Sequence, residues 1–300
     1  MASVSLISTA VPAHRAGLEF WMQRVLELAE QVRGDWNAEA VHDLRVAIRR
    51  CRTMAEALAE VNPDPGWKKI KKATRDLFRA LGSLRDAQVA REWIMKLSDP
   101  GDSVRKHMSQ IAAQQETTRR RESLSELDRF DRKGWKKWAR KLPERSQFFP
   151  PESVVFQRLA LSRLHDSVEL YQRARRGRSR VAWHRLRIGL KRFRYVVENF
   201  LPQRYEVWGG DLKRMQDLLG EVHDLDVLRA GLVRHHAGMD AIAVEAWLRK
   251  IEAARKMRLE EFRLRVSDKE SLWLVWRAGF GWGHTLRSAA SEPRKIYSAS

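Results

Sequence analysis

The chain has 300 residues, of which 43% are hydrophobic, and these values predict a soluble globular protein with a substantial core. Lys and Arg number 58 against 38 Asp and Glu, and the resulting formal charge of +20 predicts a polyanionic partner: nucleic acid, an anionic membrane or a phosphate polymer. The composition argues against a disulfide scaffold, since Cys51 is the only cysteine, and no stretch is long and apolar enough for a transmembrane helix. The first thirteen residues lack the basic start of a signal peptide, and we expect a cytoplasmic protein with Cys51 as a buried, inert thiol.

Apolar residues recur at three- and four-residue spacing along the chain, and strand-type alternation is nearly absent, so the sequence predicts an all-α fold. The predicted helices, in chain order, are 12–33, 38–61, 66–82, 84–97, 102–127, 131–141, 152–175, 179–201, 205–219, 222–236, 240–266 and 269–279. A proline-rich segment near the midpoint predicts a boundary between two units. We expect an N-terminal bundle at 1–142, a linker at 143–151, a C-terminal bundle at 152–285 and a flexible tail at 286–300. The Trp-rich segment 272–282 is expected to lie in the core.

An internal repeat relates the two halves. The first half contains HDLRVAIRRCRTMAEAL from His42, and the second contains HRLRIGLKRFRYVVENF from His184. Each is followed by a helix that begins near a tryptophan, then by Leu-Gly and an aspartate, at Leu81, Gly82 and Asp86 and at Leu219, Gly220 and Asp224. This duplication predicts two similar four-helix-type bundles related by a pseudo-twofold axis, with a basic groove between them.

The repeated helix carries a stripe of cations. At 100° per residue, His42, Arg45, Arg49 and Arg52 share one arc of the first copy, and His184, Arg187, Lys191 and Arg194 share the same arc of the second. The apolar residues lie on the neighbouring arc, which must pack on the bundle. A further basic face is predicted on helix 66–82, with Lys68, Lys72, Arg75 and Arg79, whereas its counterpart in the second half offers Lys213. Such a stripe spans about 15 Å, a length that suits an extended chain of phosphates.

Structural explanations compete with this interpretation. A run of basic residues is often a solvated helix face, and Arg52 with Glu56 and Arg194 with Glu198 have the spacing of stabilising ion pairs. A metal site at the histidines is disfavoured, because no second ligand shares their arc. Instead, neighbouring cations favour a neutral imidazole that can hydrogen-bond a phosphate oxygen. Asp86 and Asp224 are predicted at helix starts, where they would cap the helix or orient a groove cation.

At these residues the sequence resembles the CHAD family, the conserved histidine α-helical domain. The matching pattern is His42, Arg45, Val46, Arg49, Arg50 and Arg52, and again His184, Arg187, Ile188, Lys191, Arg192 and Arg194. The resemblance implies two helical bundles around a basic central channel that binds inorganic polyphosphate, and association with polyphosphate granules. Two positions depart from the repeat: His223 stands in the second half where the first has Arg85, and Asp217 stands where the first has Arg79.

We therefore predict a non-catalytic polyphosphate-binding protein without cofactor or metal. The predicted contacts are His42, Arg45, Arg49, Arg50, Arg52, Lys68, Lys72, Arg75, Arg79, His184, Arg187, Lys191, Arg192, Arg194 and Lys213, with Asp86 and Asp224 in support. A helical nucleic-acid-binding protein is the alternative, although the sequence carries no zinc-finger spacing or RNA-binding aromatic motif. A phosphotransfer or phosphohydrolase enzyme is less favoured, because cations crowd both histidines and no acidic cluster offers a magnesium site.

Overall fold

The computed structural model describes residues 17–177, 179–267 and 271–281, and in these ranges every regular element is a helix. The helices are α1 (Leu18–Gly34), α2 (Ala38–Val61), α3 (Pro65–Ala73), α4 (Arg75–Leu97), α5 (Ser103–Arg129), α6 (Arg132–Ser146), α7 (Val154–Arg176), α8 (Arg180–Phe200), α9 (Pro202–His235), α10 (Ala241–Ser267) and α11 (Leu272–Ala278). The all-α prediction is confirmed. The predicted absence of a signal peptide in the first thirteen residues and the predicted tail at 286–300 concern positions outside the described residues.

Local sequence signals explain where several helices begin. The side chains of Asn37, Asp64, Asp102 and Asp131 each accept a hydrogen bond from a backbone amide in the first turn of the helix that follows. Such N-caps satisfy amides that have no partner within the helix. For this reason the predicted starts of α2, α5 and α6 agree with the observed starts to within one residue.

The predicted break after Gly82 is found eight residues earlier, at Thr74, where α3 ends and α4 begins. Arg52 Nη1 donates to the Lys71 carbonyl at 2.7 Å, and this carbonyl is the one that the Arg75 amide would use in a continuous helix. Thr74 Oγ1 also donates to the Ile70 carbonyl at 2.8 Å. The bend is therefore fixed by side chains that a periodicity analysis does not pair.

The second half has no corresponding break, because α9 runs without interruption through Gly220. A helical glycine costs about 1 kcal/mol relative to alanine. Buried residues on both sides of Gly220, including Leu218, Leu219 and Val222, anchor the helix and outweigh that cost. The prediction of two helices at 205–219 and 222–236 was wrong.

Helix α6 also differs from the prediction, since it continues through Pro143 to Ser146. Within a helix, proline removes one hydrogen bond and its ring crowds the carbonyl four residues earlier. Leu142 and Pro143 are buried there, so packing holds the last turn. The predicted linker at 143–151 is accordingly shorter in the structure.

Four long helices form a closed ring of contacts: α2 packs against α4, α4 against α9, α9 against α8, and α8 against α2. Outside this ring α1 packs on α2, α7 on α8, α5 on α4 and α10 on α9. The duplication itself stays a prediction from the sequence. What the packing establishes is that the two repeated helices, α2 and α8, are direct neighbours.

The hydrophobic residues form two buried clusters, and each takes side chains from both halves of the chain. The larger contains Leu44 of α2 together with Leu190 of α8, and it includes Trp273, Trp276 and Phe280 of the C-terminal segment, as expected for a core role. The smaller contains residues from the C-terminal parts of α4 and α9 and from the N-terminal halves of α5 and α10, among them Trp93 and Trp247. Since both halves build each core, the described residues form one packed body.

Close helix packing has a specific requirement between α7 and α8. A Cβ atom on Gly189 would lie 2.7 Å from Leu170 Cδ1 and 3.9 Å from the Ser167 Cα, so the end of the Leu170 side chain must shift to admit a larger residue there. Within the residues that the structure describes, no helix is long and apolar enough to cross a membrane.

Candidate anion-binding site

The cationic stripes of α2 and α8 meet at the contact between these helices. Arg49 Cζ and Lys191 Nζ lie over the same ring, that of Tyr195, at 5.8 and 5.7 Å from its centroid. Lys191 is also within electrostatic reach of Arg45 and Arg187. We call the cations that converge here the basic cluster, which comprises Arg45, Arg49, Arg187, Lys191 and Arg194.

Lys191 is at the centre of the basic cluster. Burial, reinforced by the positive charges of Arg187, Arg49, Arg45 and Arg194, lowers the pKa of Lys191 to about 7. Desolvation and like charges both disfavour an ammonium ion. The protein therefore concentrates more positive charge at this point than its own residues compensate.

The basic cluster is poor in internal partners. Arg45, Arg49, Arg187 and Lys191 have no carboxylate within 4.0 Å among the described residues, and only Arg194 approaches one, with its Nε 3.5 Å from Glu198. The Nε atoms of Arg45 and Arg49 are buried and have no acceptor in the described part of the chain. Buried donors are usually hydrogen-bonded in folded proteins, and these two lie beside cations without an ion pair, so they are available to an acceptor from outside the chain.

Two aromatic side chains, which the sequence analysis missed, support the guanidinium groups. Arg45 and Arg52 lie over the ring of Phe78, at 5.7 and 5.0 Å from its centroid, and Arg49 lies over Tyr195. Aromatic faces attract cations without neutralising them, and they leave the edges of the guanidinium free to donate. Tyr195 follows Lys191 by one helical turn, a spacing that could have identified it, whereas the position of Phe78 depends on the bend at Thr74.

The repeat histidines have different surroundings. His42 is exposed on α2, one turn before Arg45, whereas His184 on α8 places its Nδ1 3.2 Å from Nδ1 of His223 on α9. Burial and the charge of Arg187 lower the pKa of His184, and burial with the charges of Arg187 and His184 lowers the pKa of His223 to about 4. Both rings of the pair are therefore neutral near pH 7. One Nδ1 donates and the other accepts, so the tautomers of His184 and His223 are coupled.

The two repeat aspartates lie in the interiors of α4 and α9, so their prediction as helix starts was wrong. They lie near each other and near two arginines. Burial, with added repulsion from Asp86, raises the pKa of Asp224 to about 6 despite the opposing charges of Arg187 and Arg85. Asp224, Arg187 and Lys191 line an open pocket of about 290 Å³ between α8 and α9. Acidic groups therefore border the basic cluster on this side.

Two comparisons with known proteins concern the family and the fold of the chain. The family model for the CHAD domain matches residues 17–233. The chain belongs to the CHAD family. The fold is similar to the crystal structure of the CHAD domain from the plant Ricinus communis, with 21% sequence identity, 94% of this chain and 97% of that chain covered, and a TM-score of 0.54. A comparison with curated protein sequences gives no significant match.

Two arginines of the CHAD sequence pattern do not join the basic cluster. Arg50 is buried, with Nη2 2.5 Å from Glu198 and Nη1 2.9 Å from Asn199. Because protein groups already satisfy it, the prediction that Arg50 contacts a ligand does not agree with its position. Arg192 instead reaches the neighbouring helix α2, with its Nε 3.5 Å from Glu56. Arg50 directly follows Arg49, and Arg192 directly follows Lys191. Because adjacent residues of a helix point about 100° apart, neither arginine shares the face of the basic cluster.

Arg52 of this CHAD domain lies beside the basic cluster but is held in place by the chain itself. Its Nη1 donates to the Lys71 carbonyl and to Thr74 Oγ1 at 3.1 Å. Arg52 thus orients the junction of α3 and α4, and with it Phe78. A ligand could use only the N–H groups of Arg52 that are not engaged in these two hydrogen bonds.

The other predicted contacts are exposed cations on α3, α4 and α9. Lys68 and Lys72 have no ion pair with a described residue, whereas Arg75 and Arg79 share Asp76 at 3.1 and 3.5 Å. Lys213 pairs with Asp217 at 2.6 Å. These residues add positive potential at the periphery of the CHAD domain. Among the described residues no group of three or more His, Cys, Asp or Glu side chains is placed to hold a metal ion.

Proposed function

We propose that this CHAD domain binds inorganic polyphosphate, without catalysing a reaction, and that the basic cluster between α2 and α8 is the binding site. The observation that carries the proposal is the set of buried, unpaired donors there. The Nε groups of Arg45 and Arg49 have no acceptor in the described chain, and Lys191 is forced close to four other cations. A polyanion supplies both the acceptors and the compensating charge.

A linear phosphate polymer fits the chemistry of the cluster better than a single small anion does. Guanidinium groups take phosphate oxygens in a bidentate manner, and the ammonium of Lys191 acts as a mobile point charge. Four of the five cations have no ion pair with a described residue, so several adjacent phosphates can be bound at once. Affinity should therefore rise with chain length until the cluster is filled.

The exposed cations extend the positive field beyond the cluster. His42, Lys68 and Lys72 are exposed and have no ion pair among the described residues. Their contribution is long-range attraction, which is screened by salt. In cells, the same field would bring the protein to polyphosphate granules in the cytoplasm.

The test is a comparison of two charge-matched double variants. Arg45→Glu with Arg187→Glu changes one cluster cation on each repeated helix. Arg121→Glu with Arg249→Glu makes the same change in net charge at exposed arginines of α5 and α10. Titration with long-chain polyphosphate at about 50 and about 200 mM salt gives the affinity and its salt dependence. Circular dichroism and thermal melts show whether each variant is folded.

We expect the cluster variant to lose binding and the control to lose little more than long-range attraction. Equal affinity of the two folded variants would overturn the assignment to the basic cluster. If the glutamates unfold the protein, Arg45→Gln with Arg187→Gln replaces them, with a smaller loss of affinity expected. Competition with duplex DNA at equal phosphate concentration tests the nucleic-acid alternative, and phosphate release with magnesium tests for catalysis. Preference for DNA, or turnover, would refute the proposal.

A further inference from the structure

The hydroxyl group of Tyr195 is a buried donor that no described residue accepts. Tyr195 lies on α8 and is 7% exposed, and its Oη has no hydrogen-bond partner in the described chain. The hydroxyl groups of the other two described tyrosines have partners. Tyr205 Oη donates to Glu198 at 3.0 Å, and Tyr171 Oη lies 3.3 Å from Ser267 Oγ. The hydroxyl groups of Ser109 and Ser153 also lack a partner among the described residues, but Tyr195 lies among the cations of the basic cluster, where an anion would supply the missing acceptor.

None of the described charged groups around this hydroxyl accepts a hydrogen bond from it. Arg49, Arg194 and Arg45 are all within electrostatic reach of Tyr195, and a guanidinium group has donors only. The carboxylate that acts on Tyr195 electrostatically, Glu198, accepts no hydrogen bond from its Oη. Glu198 receives Arg50 at 2.5 Å and Tyr205 at 3.0 Å, and it lies 3.5 Å from Arg194.

The hydroxyl is also a proton donor throughout the neutral range. Burial, opposed in part by Arg49 and Arg194, raises the pKa of Tyr195. The phenol is therefore not converted to a phenolate by its cationic neighbours. It remains a neutral group with one proton to donate, surrounded by groups that attract an anion to the same place.

We infer that Tyr195 donates a hydrogen bond to an oxygen of the phosphoryl group that the basic cluster holds, and so contributes to ligand binding beyond the cations. This inference rests on the proposed function. It assigns Tyr195 two roles: its ring face supports Arg49 and Lys191, and its hydroxyl contacts the anion. An O–H donor to a charged oxygen is short and directional, so it fixes the position of one phosphate along a chain that the cations alone would let slide.

The test is removal of one oxygen atom. Tyr195→Phe keeps the ring under Arg49 and Lys191 and deletes only the hydroxyl. Tyr171→Phe is the matched control, because Tyr171 is 6% exposed and packs among Trp183, Phe262 and Trp273 rather than in the cluster. Each protein is titrated with long-chain polyphosphate at one low salt concentration, and its melting temperature is measured without and with the polymer.

We expect Tyr195→Phe to bind polyphosphate about tenfold more weakly, in line with the loss of one hydrogen bond to a charged group. Its melting temperature without polymer should not fall, since the hydroxyl has no partner there, but the increase that the polymer produces should shrink. Tyr171→Phe should bind as the wild type does. A purely structural role of the hydroxyl would change the melting temperature and leave affinity intact.

The outcomes separate the two proposals. If the wild type binds polyphosphate and Tyr195→Phe binds it equally well or more tightly, the inference is wrong while the proposed function stands. A marked drop in the melting temperature of free Tyr195→Phe would also overturn it, because the hydroxyl would then have an internal partner. If the wild type does not bind polyphosphate, the proposed function itself fails.

Discussion

Replacing Lys191 by methionine should stabilise the free protein in a pH-dependent way. Lys191 has a pKa of 10.5 in the unfolded chain and about 7 in the fold. At 1.36 kcal/mol for each tenfold change, keeping its ammonium charged in the folded state costs roughly 5 kcal/mol at most. Relaxation of the surroundings reduces such penalties, so we expect Lys191→Met to raise the free energy of unfolding by about 2–4 kcal/mol at pH 6.5.

The sign of the pH dependence follows from proton binding. Below about pH 7 both states hold the Lys191 proton, and the full cost is present. Between about pH 7 and 10.5 the unfolded state holds the proton and the folded state does not, so the stability of the wild type rises with pH, by at most 1.36 kcal/mol per unit. The advantage of Lys191→Met should therefore shrink by about 1–3 kcal/mol between pH 7 and 9.

The assay is chemical denaturation followed by tryptophan fluorescence, in buffers free of phosphate and sulfate, at pH 6.5, 7.5 and 9. Lys72→Met is the control, because Lys72 is exposed, and its stability should stay within about 0.5 kcal/mol of the wild type at each pH. If Lys191→Met is less stable than the wild type at pH 6.5, or if its advantage does not change with pH, Lys191 is not held among uncompensated cations and the reasoning fails.

The same residue links affinity to pH. A bound polyanion favours the charged form of Lys191, so binding above pH 7 takes up a proton, and the affinity of the wild type for polyphosphate should fall by up to about tenfold per pH unit between pH 7 and 9. Lys191→Arg should lose much less affinity over this range, because a guanidinium does not deprotonate. Titrations in two buffers of different ionisation enthalpy measure the proton uptake directly.

Two further changes test the packing that holds the site. Glu198→Gln leaves the buried Arg50 without its counter-charge and should lower the free energy of unfolding by about 3 kcal/mol, measured by denaturation, and an unchanged value would show that Arg50 is solvated. Gly189→Ala places a Cβ 2.7 Å from Leu170 Cδ1, so the Leu170 side chain must shift, and this cost should cancel the gain in helix propensity and leave the free energy of unfolding unraised. Gly210→Ala, with nothing within 4 Å, should stabilise by about 0.5–1 kcal/mol, and equal effects of the two alanines would contradict the close approach of α7 and α8.

Regular patterns along the chain determined the helical content and much of the candidate site. Periodicity and N-caps give α2 its observed bounds, Ala38–Val61. The same periodicity places Arg45 and Arg49 on one face, and Arg187 and Lys191 on another, because residues three and four apart on a helix lie side by side. These four cations, predicted from the repeat, are the ones that the fold brings together.

Contacts between distant residues decided the rest. Arg50 stands in the same basic run as Arg49, yet Glu198, far along the chain, holds it in the core. The bend at Thr74 depends on Arg52 reaching across from another helix. No local pattern records such pairings, since they exist only once two helices have packed.

The sequence by itself therefore fixes which side chains share a helix face, because the α-helix has one period. Only the tertiary structure decides which faces meet, and this determines which charges are neutralised. Arg45, Arg49, Arg187 and Lys191 form no ion pair with a described residue, because α2 packs on α8 with these faces together and no described carboxylate lies within 4.0 Å of them. The hydroxyl of Tyr195 is left without a partner by the same packing.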